Sequence, residues 1–460
     1  MKKERAESFE PPRFGTDGLR GRAGEPPLDP ETLRRVGAAL GIHLQRRGPE
    51  QKRVVIGNDG RDSAPWILDA LAQGLAATEV ATIDIDLCTT PALAFLARTE
   101  PFAAGVMISA SHNPAEDNGI KIFDGEGRKL SDEAEREIEQ LTVSTAFSPM
   151  GEVRTKSKTE LLGRYVDWLG NYFAGLDLSG ATVVIDAANG GGAALAPTVL
   201  RAFGADVVEV ACEPDGTNIN QNCGALAPAN LVPTVLASGA VLGICLDGDG
   251  DRCIFVDDRG QIADGDAILA TLAPRMLQRG RLPKATAVAT VMSNLGLHHA
   301  LAQAGIQVAT TPVGDRHLAA RMRSDGLTLG AEQSGHVLID IGDGVLVGDG
   351  LFTALHVLAI DGVREHGTAR LFASFERFPQ KLVNVRVGQK PPLAEIPAIV
   401  AAIADAERRL GTQGRVLLRY SGTENLCRVM VEARDRELME AITAELVQVV
   451  TCELNGETHP

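Results

Sequence analysis

Asp247-Gly248-Asp249-Gly250-Asp251, followed by Arg252, sets three carboxylates at alternate positions with only glycine between them. Such a run can wrap a hard divalent cation, because the glycines let the backbone bend freely. A calcium loop of the EF-hand type would need Gly at the sixth position and a bidentate Glu at the twelfth; here these are Arg252 and Asp258. Acids this close repel one another unless a cation neutralises them. Three protein carboxylates leave coordination positions open, which suits Mg²⁺ held jointly with a phosphate. A solvated acidic turn is the alternative.

Three further polar loops could do chemistry. Ile108-Ser109-Ala110-Ser111-His112-Asn113-Pro114, continued by Asp117-Asn118-Gly119-Ile120-Lys121, presents a hydroxyl beside an imidazole. Adjacent Ser and His do not make a triad, since neighbouring side chains diverge, and the segment also reads as a strand ending in a capped turn. Gly330-Ala331-Glu332-Gln333-Ser334-Gly335-His336 packs carboxylate, amide, hydroxyl and imidazole into five residues. That density suits a ligand rich in hydroxyls, such as a sugar, although a polar hairpin would look the same. Arg419-Tyr420-Ser421-Gly422-Thr423-Glu424-Asn425, with Arg428 beyond, offers hydroxyls, freed amides and two guanidinium groups, a cradle for phosphate. It lacks the Walker spacing. Asn189-Gly190-Gly191-Gly192 fails the dinucleotide fingerprint because position 195 is Leu, and reads as a tight strand-to-helix turn.

The elements that must position these loops alternate. Strand-like runs at 54–57, 81–87, 105–109, 181–186, 206–210, 241–246, 285–292, 328–330, 383–387, 416–419 and 428–432 are separated by helical patterns. Asp29-Pro30 opens a helix to about Arg47, and Ser131 caps another with acids in its first turn. Other helices are expected near 159–173, 193–203, 229–238, 265–278, 349–365, 393–410 and 436–452. The alternation predicts an α/β protein with mostly parallel or mixed sheets. No short repeat is visible, yet three blocks each deliver one polar loop at a strand end and a shorter tail delivers a fourth. Ligands of open α/β sheets gather at such ends, so the four loops could meet in one cleft. Breaks are expected in the polar stretch Thr142–Lys158, after Asp257, and near Arg377-Phe378-Pro379-Gln380, giving domains 1–155, 156–257, 258–378 and 379–460.

The 460 residues carry 45 Lys+Arg against 60 Asp+Glu, a net charge of −15, with 44% hydrophobic residues. This is a folded composition long enough for several cores. The acidic balance argues against nucleic acid or an anionic membrane as partner, but a local cluster of Arg and Lys can still hold a small anion. Seven scattered cysteines without a CxxC pair read as reduced thiols. The charged amino terminus is not followed by an apolar run, and no stretch is long enough for a membrane helix, so a cytoplasmic protein is expected.

Taken together the loops resemble the α-D-phosphohexomutase superfamily, from Phe14 to about Glu432. FGTDGLRG (14–21) resembles its amino-terminal signature, ISASHNP its phosphoserine loop, DGDGDR its metal loop, EQSGH its sugar loop and RYSGTE its phosphate loop. EQSGH, NIN with Cys223-Gly224, VMSNLGL and VGDR favour the glucosamine branch over the glucose and mannose ones. The resemblance implies four domains around a central cleft, three similar mixed-sheet α/β domains and a smaller C-terminal α+β domain. It implies reversible conversion of glucosamine 6-phosphate to glucosamine 1-phosphate, which feeds UDP-N-acetylglucosamine synthesis. One Mg²⁺ per chain, phosphorylation of Ser111 and a sugar 1,6-bisphosphate activator are implied with it. Ser111 would carry the phosphoryl group and, with Asp247, Asp249 and Asp251, hold the metal. Lys121, His336 and Arg20 would serve proton transfer or the reacting phosphate. Arg252, Asp315, Arg316, Glu332, Ser334, Arg419, Ser421, Gly422, Thr423 and Arg428 would bind substrate, an amino-sugar phosphate. A monomer or homodimer is expected. Asn425, Ala331, the CGAL segment, His317 and the rich stretch Ile339–Gly350 depart from the family pattern. Three other readings remain: a mutase for glucose or mannose phosphates, a non-catalytic sugar-phosphate sensor, and a metal-dependent phosphatase.

Overall fold

Val54 and Ile56 pack on one face of a sheet and Val55 on the other, and Val106, Ile108 and Met107 divide in the same way. Strands buried on both faces read as continuous apolar runs, which is why these segments are legible. In this computed structural model they form the centre of a first sheet built from β1 (Leu19–Arg22), β2 (Arg53–Asn58), β3 (Ala81–Leu87), β4 (Ala104–Ile108), β5 (Asp117–Asp124) and β6 (Thr155–Ser157), in the order β1-β5-β4-β2-β3-β6. The structure describes residues 11–459 apart from 16, 49–52, 145–152, 154, 374 and 422–424. Helices Pro30–Arg47, Ala64–Ala76 and Asp132–Ser144 cover one face, and Thr90–Thr99 the other. The expected caps are present: Asp29 accepts the amides of Glu31 and Thr32, and Ser131 Oγ that of Ala134.

A second sheet contains β7 (Thr182–Asp186), β8 (Asp206–Val210), β9 (Leu242–Leu246), β10 (Cys253–Asp257) and β11 (Ile262–Ala263), ordered β11-β10-β9-β7-β8. The third contains β12 (Thr286–Thr290), β13 (Gln307–Thr311), β14 (Leu329–Ala331), β15 (Val337–Asp340) and β16 (Leu346–Gly348), ordered β13-β12-β14-β15-β16. The fourth is wholly antiparallel: β17 (Gln380–Arg386), β18 (Gly414–Tyr420), β19 (Leu426–Ala433) and β20 (Glu457–His459), ordered β18-β19-β17-β20 and packed on helices Pro397–Leu410 and Arg436–Glu453.

The first three sheets repeat one plan. Three parallel strands, β3-β2-β4, β8-β7-β9 or β13-β12-β14, are followed by an antiparallel return, β5, β10 or β15. The loop between the third strand and its return carries Ser111 in the first sheet, the Asp triplet in the second and Glu332–His336 in the third. This is the structural form of the rhythm seen in the sequence.

Some elements escaped the sequence reading. β5 was expected as a loop because Asp117-Asn118-Gly119 opens it, but it is buried between β1 and β4. Helices Ala64–Ala76, Thr90–Thr99, Leu295–Gln303 and Asp315–Asp325 were not anticipated, and the helix expected over 349–365 is two, Gly350–Leu358 and Val363–His366. β6 crosses the expected break at 155, and β11 follows the one at 257 yet pairs with β10. All seven cysteines are free thiols. No helix among the described residues is long and apolar enough to cross a membrane.

Candidate active site

Ser111 takes φ 54°, the left-handed region that non-glycine residues seldom occupy. A dense set of bonds fixes it there. Its amide donates to Ser109 Oγ at 2.7 Å, Ser109 Oγ donates to Asp59 Oδ2 at 2.6 Å, and Arg61 Nε donates to the same oxygen at 3.0 Å. The Arg61 guanidinium, fully buried, also donates to the carbonyls of Ser111 (3.0 Å), Asn113 (2.9 Å), Asp117 (2.8 Å) and Pro114. Neither Asp59 nor Arg61 was expected at the site; the only signal was a polar Asn-Asp-Gly-Arg turn directly after a buried strand.

The Ser111 hydroxyl donates to Asp247 Oδ2 at 2.7 Å, joining the first sheet's loop to the second's. Asp247, Asp249 and Asp251 are all buried, with ligand oxygens within 4.8 Å of one another. Among the described residues this is the one cluster of its kind. Asp249 Oδ1 and Asp251 Oδ1 are buried without a hydrogen-bond partner. Burial, then the charges of Asp251 and Asp249, pushes Asp247 up to about 8. Hard oxygen donors with orphaned buried atoms and mutual repulsion fit a divalent cation.

Gly191 explains the glycine run: its amide donates to the Gly248 carbonyl at 2.8 Å, and a Cβ there would come within 2.0 Å of the Cys88 carbonyl. The run lets two backbones close on the acidic loop. Thr90, at the start of helix Thr90–Thr99, donates its hydroxyl to Asp249 Oδ2 and its amide to the Asp249 carbonyl.

Lys121, in β5, points at the acids: Nζ lies 2.6 Å from Asp249 Oδ2, 3.2 Å from Asp17 Oδ2 and 3.4 Å from Asp251 Oδ2. Burial opposes its charge, but these three carboxylates hold its pKa well above the usual lysine range. β1 runs antiparallel to β5, which brings Asp17 and Arg20 to this spot, paired to each other. Asp17 also pairs with Lys129, whose ammonium reaches Asp315 Oδ2 at 2.6 Å. Arg316 is held by Asp132 and by Glu135 Oε1 at 3.0 Å. Asp315 and Arg316 thus engage first-domain side chains rather than an open surface.

His336 Nδ1 is 3.0 Å from the Asp251 carbonyl and 3.7 Å from Asp251 Oδ1. Burial disfavours its charged form, yet Asp251, Asp315 and Glu332 outweigh it and raise the ring to about 9. The imidazole packs on Gly348, where a Cβ would stand 2.8 Å from the ring. That contact accounts for part of the rich stretch Ile339–Gly350, which takes in most of the β15–β16 hairpin and includes Asp349, the cap of helix Gly350–Leu358. His112 Nδ1 is 3.2 Å from Ser111 Oγ, and burial with Arg252 and Arg20 lowers its pKa to about 4.

Glu332 Oε1 accepts the Gly314 amide at 2.7 Å, and Ser334 Oγ lies 3.4 Å from Glu332 Oε2. A cleft of about 490 Å³ is lined by His112, Asp247, Arg252, Gln333, Ser334 and Arg377, among others. Arg419 and Arg428 sit opposite each other on β18 and β19, and burial and the Arg428 charge lower the Arg419 pKa. The Ser421 carbonyl accepts from Lys390 Nζ at 2.8 Å. Gly422 and Thr423 lie outside the described residues. The bonds that converge on Ser111 come from the first two domains, and His336 of the third reaches the acidic loop through Asp251. Asn218, the first residue of the NIN segment, closes its own loop through Glu213 O and the Asp215 amide.

Family models described as phosphoglucomutase/phosphomannomutase alpha/beta/alpha domains I, II and III and the C-terminal domain match residues 11–148, 164–260, 264–378 and 382–449. A phosphoglucosamine mutase of Cereibacter sphaeroides is 47% identical over 431 residues, 93% of this chain and 96% of that protein. One of Desulfovibrio desulfuricans is 45% identical, covering 92% and 95%. Among solved structures, a phosphoglucomutase/phosphomannomutase family protein of Burkholderia thailandensis superposes with a TM-score of 0.79 at 24% identity, over 95% and 97% of the two chains. The N-acetylphosphoglucosamine mutase of Aspergillus fumigatus, in complex with GlcNAc-6P and magnesium, gives 0.65 at 20% identity over 96% of each.

Proposed function

The chain belongs to the phosphoglucomutase/phosphomannomutase family, and from that premise we propose how it interconverts glucosamine 6-phosphate and glucosamine 1-phosphate. It is a phosphohexomutase isomerase, and the phosphoglucosamine mutases of near-full-length similarity support the amino sugar over glucose or mannose as substrate. Ser111, phosphorylated, is the phosphoryl carrier. The observation that supports this most is its hydroxyl at 2.7 Å from Asp247, on a strained and heavily bonded turn facing the acids.

In the first step the bond from phosphorus to Ser111 Oγ breaks and one to the sugar 1-oxygen forms; the 1-hydroxyl proton passes to a side-chain base, and Ser111 Oγ takes up a proton as it leaves. The product is glucosamine 1,6-bisphosphate. It turns end for end, and its 6-phosphoryl returns to Ser111. The same bisphosphate would serve as activator, returning a phosphoryl group to Ser111 whenever the carrier is empty. Asp247, Asp249 and Asp251, with the phosphoserine, would hold one Mg²⁺, which when bound neutralises charge on the transferring phosphoryl group. Lys121, His336 and Arg252 stand at the same place as cations, and Arg20 lies beside them. Lys121 and His336, beside the acids, are the candidates for proton transfer or for meeting the charge of the reacting phosphate. His112 Nδ1, 3.2 Å from Ser111 Oγ, is placed to pass a proton to or from that oxygen.

Glu332 and Ser334 would bind sugar hydroxyls. Arg419, Ser421, Gly422, Thr423 and Arg428 would hold the phosphate that is not reacting, so one cradle must serve either end of the sugar. Asp315 and Arg316 would hold the third domain to the first through Lys129 and Glu135, and reach substrate only indirectly. Intact mass should show a fraction of the protein heavier by one phosphate, localised to the Ser109–Lys121 peptide. Ser111→Ala should lose nearly all activity and keep its fold. Wild-type turnover by that variant would overturn the carrier assignment.

A further inference from the structure

The carbonyl oxygens of Ser111 and Asn113 each accept two hydrogen bonds, from two domains. Arg61, on the first domain, supplies one to each at 3.0 and 2.9 Å. Asn220 Nδ2, from the second domain, supplies the other to each at 2.9 and 3.0 Å. Asn220 is itself fixed: its amide donates to the Ala188 carbonyl at 2.9 Å and it sits at φ 60°. Across from it, a Cβ on Gly248 of the acidic loop would come 2.5 Å from Ser111 O and 3.0 Å from Asn220 Nδ2. Asn220 therefore grips the Ser111 turn at the place where it meets the loop of Asp247, Asp249 and Asp251.

We infer that Asn220 is a positioning residue for phosphoryl transfer, setting from the second domain the register between the Ser111 hydroxyl and the acids. The assignment rests on Ser111 being the phosphoryl carrier. A phosphate on Ser111 adds about two negative charges that a shared cation must hold against three carboxylates, so the spacing between the turn and the acidic loop has to be kept. Arg61 cannot set that spacing, because it moves with the first domain. Asn220 can, because it is built on the domain that carries the acids. Its contacts are to backbone oxygens of the carrier turn and not to sugar, so its loss should act on turnover rather than on substrate affinity.

Asn220→Asp tests this. It keeps the shape, tolerates positive φ, and replaces a shared donor by a carboxylate facing two carbonyl oxygens. Asn220→Gly removes the donor without backbone strain. With saturating Mg²⁺ and glucosamine 1,6-bisphosphate, kcat of Asn220→Asp should fall about 10- to 100-fold, with KM for glucosamine 6-phosphate within about threefold. Asn220→Gly should fall between it and the wild type. Intact mass should show slower loading of phosphate onto Ser111 by the bisphosphate in both variants, with melting temperatures within about 4 °C of wild type. Wild-type kcat and loading rate in Asn220→Asp, with Ser111→Ala inactive, would overturn the role of Asn220 and leave the carrier intact. Lowered melting temperature with unchanged kcat per folded molecule would also overturn it, since that marks a merely structural contact. An active Ser111→Ala would instead remove the carrier reading on which the inference stands.

Discussion

Asp249 is engaged from two directions, by Lys121 Nζ at 2.6 Å and by the hydroxyl and amide of Thr90, yet its Oδ1 is left buried without a partner. An oxygen in that state is costly unless something completes it. Asp249→Asn would turn part of this donor set into an amide and remove a charge. Activity should vanish in chelator and return with Mg²⁺. Asp249→Asn should lose turnover on the order of 100-fold or more, given that even outer-shell changes at metal sites cost about 10- to 100-fold. Full activity in excess chelator would contradict the metal assignment. At this scale the loops with chemistry of their own were legible: Ser111, the three Asp, Glu332 and His336 stand in polar loops read from type and spacing, while the role of Lys121 came from the family resemblance and Asn220 was legible only as part of a family motif. Arg61, Asp59 and Thr90 were not. Their contribution is a bond to a loop far away in sequence, and nothing in their own segments names that loop.

Between residue and domain, the repeated order of three parallel strands and an antiparallel return explains why unrelated sequences deliver their loops to one place. The sequence shows the loops but no repeat, because the plan is kept by hydrophobic alternation and strand order, which many sequences satisfy. β5 was missed since its polar start hides a strand buried on both faces, and the glycine run 190–192 was understood as a turn but not as room for the acidic loop. One element carries a pH-dependent load. Asp266, in the first turn of helix Gly265–Gln278, is fully buried, and burial with the charge of Asp264 pushes it up to about 7. Its Oδ2 accepts the Asn294 amide at 2.8 Å and lies 3.3 Å from Gln333 Nε2. The unfolded chain releases this proton near pH 4, the folded one near pH 7, so stability falls as pH rises between about pH 4 and about pH 7. The shift corresponds to at most about 4 kcal/mol. Asp266→Asn keeps an acceptor for Asn294 and removes the titration. Its melting temperature relative to wild type should therefore rise between about pH 5 and about pH 8. A difference that stays constant over that range would contradict the buried, protonated state.

Over the whole molecule a net charge of −15 coexists with a cleft edged by Arg252 and Arg377 and a fourth sheet bearing Arg419 and Arg428. The field that discourages nucleic acid is overruled locally for a small phosphate. Side chains of the first two domains meet at Ser111, and His336 of the third reaches the adjoining acidic loop at Asp251. Lys129 with Asp315, and Arg316 with Glu135, tie the first domain to the third. Asn294 fixes the end of the third domain beside the fourth, accepting the Phe378 amide at 2.9 Å and donating to its carbonyl at 3.0 Å. Glu432, buried in β19, accepts the Leu295 amide at 2.8 Å at the same junction. VMSNLGL, legible only as a family feature, is this joint. Which sugar enters the cleft is read most directly from kcat/KM for glucosamine 6-phosphate and for glucose 6-phosphate, each with its bisphosphate activator and Mg²⁺. The amine and the hydroxyl at the 2-position differ in charge near neutrality, and a polar site can separate such partners by about 10-fold or more. The glucosamine substrate should be preferred by at least that factor, and a ratio below one would contradict the assignment in favour of a glucose or mannose mutase.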